Sequence, residues 1–139
     1  MSAALLFLGL VHRAGKLTIG EESCGVEARA KHARLILSAA DAARNSLTRA
    51  KNYAEDAKCP AVTLPWTKAE LGEVLGRGAP GMLAVCDFGM AAAFMQKLDG
   101  EFPDRYAAAG AETRRAAERA LQRKKEAKKH RENLKKGKK

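Results

Sequence analysis

Two apolar runs of strand length constrain the fold of this chain most. They are ARLILSAA at 33–40 and GMLAVCD at 81–87, and largely apolar runs of this length predict strands buried on both faces. Shorter strand candidates lie at 16–19 and 61–64. Helical segments of about ten residues alternate with these runs, so we predict an α/β fold, a three-layer α-β-α sandwich with a small mixed sheet.

The segments between the strands carry helix start and stop signals. Helices are predicted around 5–13, 21–31, 42–57, 67–76 and 88–98. Asp41 is expected to cap the third helix, and Thr67 with Glu70 forms a capping box before a helix that Gly76 ends. Gly25 weakens the second helix by about 1 kcal/mol relative to alanine, so tertiary contacts must hold that helix.

The last forty residues differ in composition from the rest. Asp99-Gly100 and Phe102-Pro103 mark a boundary, after which 107–136 is mostly Ala, Glu, Lys and Arg, with only Leu121 and Leu134 as large aliphatic residues. That is too little apolar surface for a core helix. We therefore predict a sandwich over 1–98 and a basic C-terminal extension, helical or disordered, over 99–139.

Positive charge is concentrated in that extension. The formal net charge is +10; residues 1–100 hold 12 Lys/Arg against 10 Asp/Glu, whereas 101–139 hold 14 against 6. A basic terminal segment is typical of a protein that binds a polyanion, most often nucleic acid and less often an anionic membrane. The basic residues expected to contact phosphates are Arg123, Lys124, Lys125, Lys128, Lys129 and Arg131.

The N-terminal apolar stretch and the cysteines indicate the compartment. The stretch 3–11 is shorter than the ~20 residues of a membrane span, and no Lys or Arg precedes it as in a signal peptide. Cys24, Cys59 and Cys86 lack C-x-x-C spacing and are expected to be buried in a reducing environment. We predict a cytoplasmic, monomeric protein with no membrane partner.

No catalytic constellation is visible. His12, His32 and His130 lie outside any nucleophile or metal-ligand motif. The glycine-rich GRGAPG at 76–81 leaves a helix and enters a strand, the reverse of a phosphate-cradling loop. Glu21 and Glu22 would point about 100° apart on a helix. We expect no enzyme activity, no metal ion, no cofactor and no small-molecule substrate.

Four segments together resemble a known family in order and spacing. They are R-x-G-K-L-x-x-G-E-E at 13–22, KHARLILSAADAARN at 31–45, TKAELGEVLGR at 67–77 and AVCDFGMAAAFMQKL at 84–98. The chain from about residue 3 to 98 resembles the kink-turn-binding ribosomal proteins of the archaeal L-seven-Ae and eukaryotic L-thirty-e type, and most closely their bacterial YlxQ-type members. The resemblance implies the same sandwich fold.

The resemblance also implies an RNA-binding surface. In the family, the start of the second helix and the loop before the last strand contact RNA, through a Gly-x-Asn-Glu or Gly-x-Lys-Gln motif and a lysine one turn later. Here Val26 stands at the lysine position, and two carboxylates stand where phosphate would be repelled. The implied RNA-binding residues are Gly20, Glu21, Glu22, Ser23, Arg77, Gly78, Ala79 and Pro80, with Arg13, Lys16 and Lys31 as flanking cations.

Two functions remain open from the sequence. The first is a small RNA-binding protein, associated with ribosomal or other structured RNA, that uses the second helix start, the 76–82 loop and the basic tail. The second is a protein-interaction module that has lost kink-turn recognition and is tethered to RNA or an acidic partner by that tail. At residue level, Gly20 could equally serve only a tight turn, with the glutamates as helix caps.

Overall fold

The computed structural model describes residues 2–137. Six helices and four strands follow one another in this part of the chain: α1 (Ala3–Arg13), β1 (Leu17–Ile19), α2 (Glu21–Arg29), β2 (Leu35–Ser38), α3 (Arg44–Ala57), β3 (Ala61–Thr63), α4 (Lys68–Leu75), β4 (Met82–Val85), α5 (Phe88–Glu101) and α6 (Ala107–Gly137). No helix within 2–137 is both long enough and apolar enough to cross a membrane.

The strands form one mixed sheet in the order β1-β4-β2-β3. Strand β4 is antiparallel to both β1 and β2, and β3 is parallel to β2. Side chains alternate across the two central strands: Leu35 and Leu83 face one apolar layer with α1, α4 and α5, whereas Ile36 and Ala84 face the other with α2 and α3. The predicted three-layer α-β-α sandwich is confirmed.

Helix α2 is held by the close approach of α3, as its glycine predicted. A Cβ atom built on Gly25 would lie 2.8 Å from Tyr53 Cζ. A side chain at this position would force the end of the Tyr53 side chain to move, so the low helix propensity of Gly25 accompanies close packing of α2 against α3.

The predicted cap of α3 is wrong, whereas that of α4 is confirmed. Helix α3 begins at Arg44 after Ala43, which has no capping side chain. Asp41 lies too early to cap it, and its Oδ1 instead accepts a hydrogen bond from the Lys68 amide at 2.8 Å. The start of α4 therefore has this additional acceptor besides the capping box of Thr67 and Glu70.

Helix α5 continues past residue 98, where the sequence predicted its end. It reaches Glu101, whose carboxylate accepts hydrogen bonds from the Ser2 hydroxyl and the Ala4 amide at the start of α1. These bonds, the Ser2 hydroxyl foremost, lower the pKa of Glu101. The contact joins the two ends of the sandwich. Local sequence patterns could not predict it, because the partners are 97 and 99 residues apart in the chain.

The beginning of the basic extension packs against the sandwich. Tyr106 is only 6% exposed, belongs to the larger core cluster, and donates its hydroxyl to the Thr63 carbonyl at 2.8 Å. Thr113 on α6 is also buried. The expectation that 107–136 is too polar to pack is thus wrong for its first turns, where small alanines allow α6 to approach α5. From Leu121 to Lys136 every side chain is exposed.

Candidate nucleic-acid interface

The start of α2 lies at one end of the sheet. Gly20 has φ +105°, a conformation that favours glycine, and donates its amide to the Met82 carbonyl at 3.0 Å. The first intrahelical bond runs from the Cys24 amide to the Gly20 carbonyl, 2.9 Å away. As at every helix start, the amides of 21–23 therefore have no intrahelical acceptor, and they can donate to an anion.

Glu21 points towards α3 rather than away from the protein. Its carboxylate accepts a hydrogen bond from the Ser46 hydroxyl at 3.1 Å and forms an ion pair with Arg49. The hydrogen bond from Arg49 is the main cause of a lowered Glu21 pKa. One of the two carboxylates expected to repel phosphate is thus neutralised by a cation. Glu22 and Ser23 are exposed.

The loop 76–81 lies beside this helix start. Strands β1 and β4 are antiparallel, so the end of β1 meets the beginning of β4, where the loop enters the sheet. Gly76 turns the chain at φ +67°, and the Arg77 amide donates to the Gly72 carbonyl at 3.1 Å. The structure therefore brings the predicted residues of 20–23 and 77–80 to the same end of the sheet.

Lys68 is a cation at this end that the sequence reasoning missed. Its side chain passes Gly81, since a Cβ atom built there would lie 3.5 Å from Lys68 Cδ. Arg77 in the loop is exposed, and Arg44 opens α3 beside the Ser46 that contacts α2. The only available signal was that Lys68 falls inside one of the segments carrying the family resemblance.

Lys16 and Lys31 do not lie beside the start of α2. Lys16 precedes β1 and Gly20 follows it, so the three extended residues between them hold their Cα atoms about 13 Å apart. Lys31 follows the far end of α2, where its amine donates to the Asp56 carbonyl. The expectation is therefore wrong for Lys16, which lies across a strand from Gly20, and for Lys31, which lies across a helix from it. Arg13, at the end of α1, stays a predicted contact.

The three cysteines are free thiols with raised pKa values. Burial raises the pKa of Cys24 and of Cys59 to about 12, and it also raises that of Cys86. Within residues 2–137, no three His, Cys, Asp or Glu side chains are grouped so as to hold a metal ion. The thiols therefore pack as small apolar groups in this structure.

These pKa values predict slow thiol chemistry. Because the thiolate is the reacting species, we expect the folded protein to react with an aromatic disulfide reagent at about pH 8 far more slowly than free cysteine does. The unfolded chain in urea should react at all three thiols at the ordinary rate, which provides the control. Cys24 is buried as expected, whereas Cys59 and Cys86 are only half-buried, so rapid modification of Cys24 in the folded protein would contradict its packing.

The fold and the site define a class of small α-β-α proteins. In this class one end of the sheet presents a helix start and a loop, and here a basic helix follows the sandwich. No family model matches the chain. It is 33% identical to the RNA-binding protein YlxQ of Bacillus subtilis strain 168, over 66% of this chain and 91% of that protein. The chain therefore belongs to the same family as YlxQ.

Two solved structures share the fold. A protein of unknown function from Bacillus halodurans C superposes with a TM-score of 0.65 at 21% identity, covering 71% of this chain and 99% of its own. The Giardia lamblia 15.5kD RNA binding protein superposes with a TM-score of 0.55 at 16% identity, covering 69% of this chain and 84% of its own. At these identities the likeness supports the fold alone.

Proposed function

We propose that this chain is a cytoplasmic, non-enzymatic RNA-binding protein that associates with ribosomal or other structured RNA. The observation that carries the proposal is the hydrogen bond from Gly20 to Met82, which joins the start of α2 and the end of the 76–81 loop at one end of the sheet. Free amides, Lys68 and Arg77 then face the same ligand. The name of the B. subtilis relative, an RNA-binding protein, supports this assignment.

The basic helix contributes charge to this function. From 121 to 136 every side chain of α6 is exposed, including the six cations predicted to contact phosphates. Neutralising several phosphates releases counterions, so RNA affinity falls steeply with salt. Base contacts would come from the start of α2, where Glu22 can accept from the N–H groups of guanine. Val26 at the family's lysine position reduces the phosphate contacts to a kink-turn, so we expect a weaker preference for that motif.

A second candidate is a protein-interaction module. Leu6 and Leu10 are 52% and 45% exposed and lie one turn apart on α1, where they could contact a partner. Recovery of bound partners with and without ribonuclease separates the two functions. Loss of all partners after ribonuclease supports RNA binding, whereas full retention supports the interaction module.

The RNA-binding proposal is tested by removing the two cations at the helix-start end. We expect Lys68→Ala with Arg77→Ala to weaken binding of a structured RNA on the order of tenfold at about 0.15 M salt, because two phosphates then have no cation beside them. Lys51→Ala with Arg114→Ala removes equal charge elsewhere and is the matched control. The measurement is fluorescence anisotropy with a kink-turn RNA and a plain duplex of equal length.

Two results would contradict this interface. Equal weakening by both pairs of substitutions would reduce the effect to net charge, and unchanged affinity in the first pair would exclude this end of the sheet. Thermal unfolding of each variant shows whether the fold is retained, and since Arg77, Lys51 and Arg114 are exposed and Lys68 is half-buried, we expect little change.

A further inference from the structure

A second cationic surface lies at the other end of the sheet. A cleft of about 300 Å³ opens between α6 and the segments that precede β2 and β3. Four cationic side chains line it: Arg34, Lys58, Arg119 and Arg123. Glu112 is the carboxylate that faces them. Since β2 and β4 are antiparallel, this cleft adjoins the end of β4, whereas Gly20 adjoins its beginning.

Arg34 is held in a fixed orientation within the cleft. Its guanidinium carbon lies 4.1 Å from the ring centroid of Phe88, and its Nη1 donates to the Lys31 carbonyl at 3.0 Å. A planar cation stacked on an aromatic ring and anchored at one edge loses little further freedom when a ligand stacks on its outer face. Arginine planes and aromatic rings are the groups on which proteins stack unpaired bases.

The helix supplies the remaining charge. Arg119 and Arg123 are four residues apart, so they lie on one face of α6 and meet the cleft together. In the part of the chain that the structure describes, neither they nor Arg34 and Lys58 form an ion pair within 4.0 Å. One carboxylate against four cations leaves a surplus of positive charge that a phosphodiester backbone complements.

We propose that this cleft binds single-stranded RNA, with one base stacked on Arg34 and the adjoining phosphates on Lys58, Arg119 and Arg123. The inference rests on the proposed RNA-binding function and adds a second surface to it. The protein then holds a structured element at the start of α2 and an unpaired segment of RNA at the opposite end of the sheet. Charge complementarity and the stacked guanidinium favour this ligand over an acidic protein.

Matched arginine substitutions test the cleft. The measurement is the affinity for a labelled single-stranded oligouridine at about 0.15 M salt. We expect Arg119→Gln to raise the Kd at least about threefold, and Arg114→Gln to raise it by less than about 1.5-fold. Both residues are exposed on α6, but Arg114 lies outside the cleft. We expect Arg34→Lys, which keeps the charge and removes the planar group, to weaken oligouridine binding while leaving the affinity for a plain duplex unchanged.

Removing the carboxylate of Glu112 from the cleft should increase the affinity for oligouridine, whereas removing an arginine should decrease it. We expect Glu112→Gln to strengthen binding about threefold, whereas Glu118→Gln, on the same helix outside the cleft, should leave it nearly unchanged. A gain of affinity cannot arise from partial unfolding, so this pair keeps the test valid even if a loss variant is less stable.

The outcomes separate the two proposals. Loss with R119Q and gain with E112Q support the cleft, whatever happens at Lys68 and Arg77. Equal effects of R119Q and R114Q, or of E112Q and E118Q, overturn the cleft and leave RNA binding at the helix start standing. The surface would be assigned to acidic proteins if polyglutamate displaces the oligouridine and the R34K substitution leaves the affinity for the oligouridine unchanged. Absence of binding of any RNA by the parent protein would overturn both.

Discussion

Replacing Gly72 with alanine is expected to lower the free energy of unfolding by about 2–3 kcal/mol, the upper part of the usual range for overpacking. A Cβ atom built on Gly72 would lie 1.6 Å from the Gly78 carbonyl oxygen and 2.5 Å from that of Arg77. Both are backbone atoms, so no rotamer change relieves the clash. The 76–81 loop must move away from α4, which breaks its hydrogen bond from Arg77 to Gly72.

A glycine-to-alanine substitution at position 100 should raise the free energy of unfolding instead of lowering it, and it provides the control. Gly100 lies inside α5, and a Cβ atom built on it meets nothing within 4 Å. Gly100→Ala should therefore raise the stability by about 0.4–1 kcal/mol, chiefly because alanine reduces the conformational entropy of the unfolded chain. Urea unfolding of both variants gives the free energies. If Gly72→Ala unfolds at the same urea concentration as the parent, the loop is not packed against α4.

The Gly72 substitution also reports on RNA binding. The loop carries Arg77 and enters β4 beside Gly20, so its displacement separates two parts of the proposed interface. We expect affinity for structured RNA to fall while affinity for single-stranded RNA, assigned to the cleft at the other end, is retained. Equal loss for both ligands would show that the variant is damaged throughout.

The elements of the sandwich could be predicted because their signals are local. The runs at 33–40 and 81–87 contain β2 and β4, and their central positions face apolar layers on both sides. Thr67 and Glu70 are three residues apart and cap α4 as the pattern indicated. Period, run length and capping depend on neighbouring residues, and the sequence displays those directly.

Partners that are distant in sequence could not be predicted. Asp41 had the right type and approximate place for a cap on α3, yet its carboxylate reaches Lys68, 27 residues away. Glu21 was correctly placed in the first turn of α2, but nothing nearby pointed to Arg49 as its counterion. Tyr106 lies in a polar segment, and it is buried because its ring joins the larger core cluster while its hydroxyl donates to the Thr63 carbonyl.

The position of the cations shows the same limit at the candidate site. Lys16 is four residues from Gly20, and in a helix the two would be neighbours. The intervening segment is a strand, so they lie at opposite ends of the sheet. Lys68, by contrast, is 48 residues from Gly20 in the sequence, and the antiparallel pairing of β1 and β4 brings its side chain to the same end.

The contacts of Tyr106 and Glu101 determine where the chain can be truncated without loss of the fold. A chain ending at Leu98 loses the buried Tyr106 ring, worth about 3–5 kcal/mol by analogy with large aromatic truncations, and the carboxylate that caps α1. That approaches the ~5–15 kcal/mol of a whole domain. We therefore expect this truncation to lower Tm by more than about 15 °C or to prevent folding, and the division at residue 98 to fail as a folding boundary.

A chain ending at Ala120 should behave differently, because it keeps Tyr106 and Thr113 and removes only the exposed part of α6. Its Tm should match that of the full chain, while the slope of log affinity against log salt should fall by about 0.7–0.9 for each phosphate that the removed cations neutralise. Circular dichroism melts and salt-dependent anisotropy measure the two effects. A stable, fully folded chain of 98 residues would show that the contacts of Tyr106 and Glu101 contribute little, and an unchanged salt slope in the longer chain would exclude the tail from RNA binding.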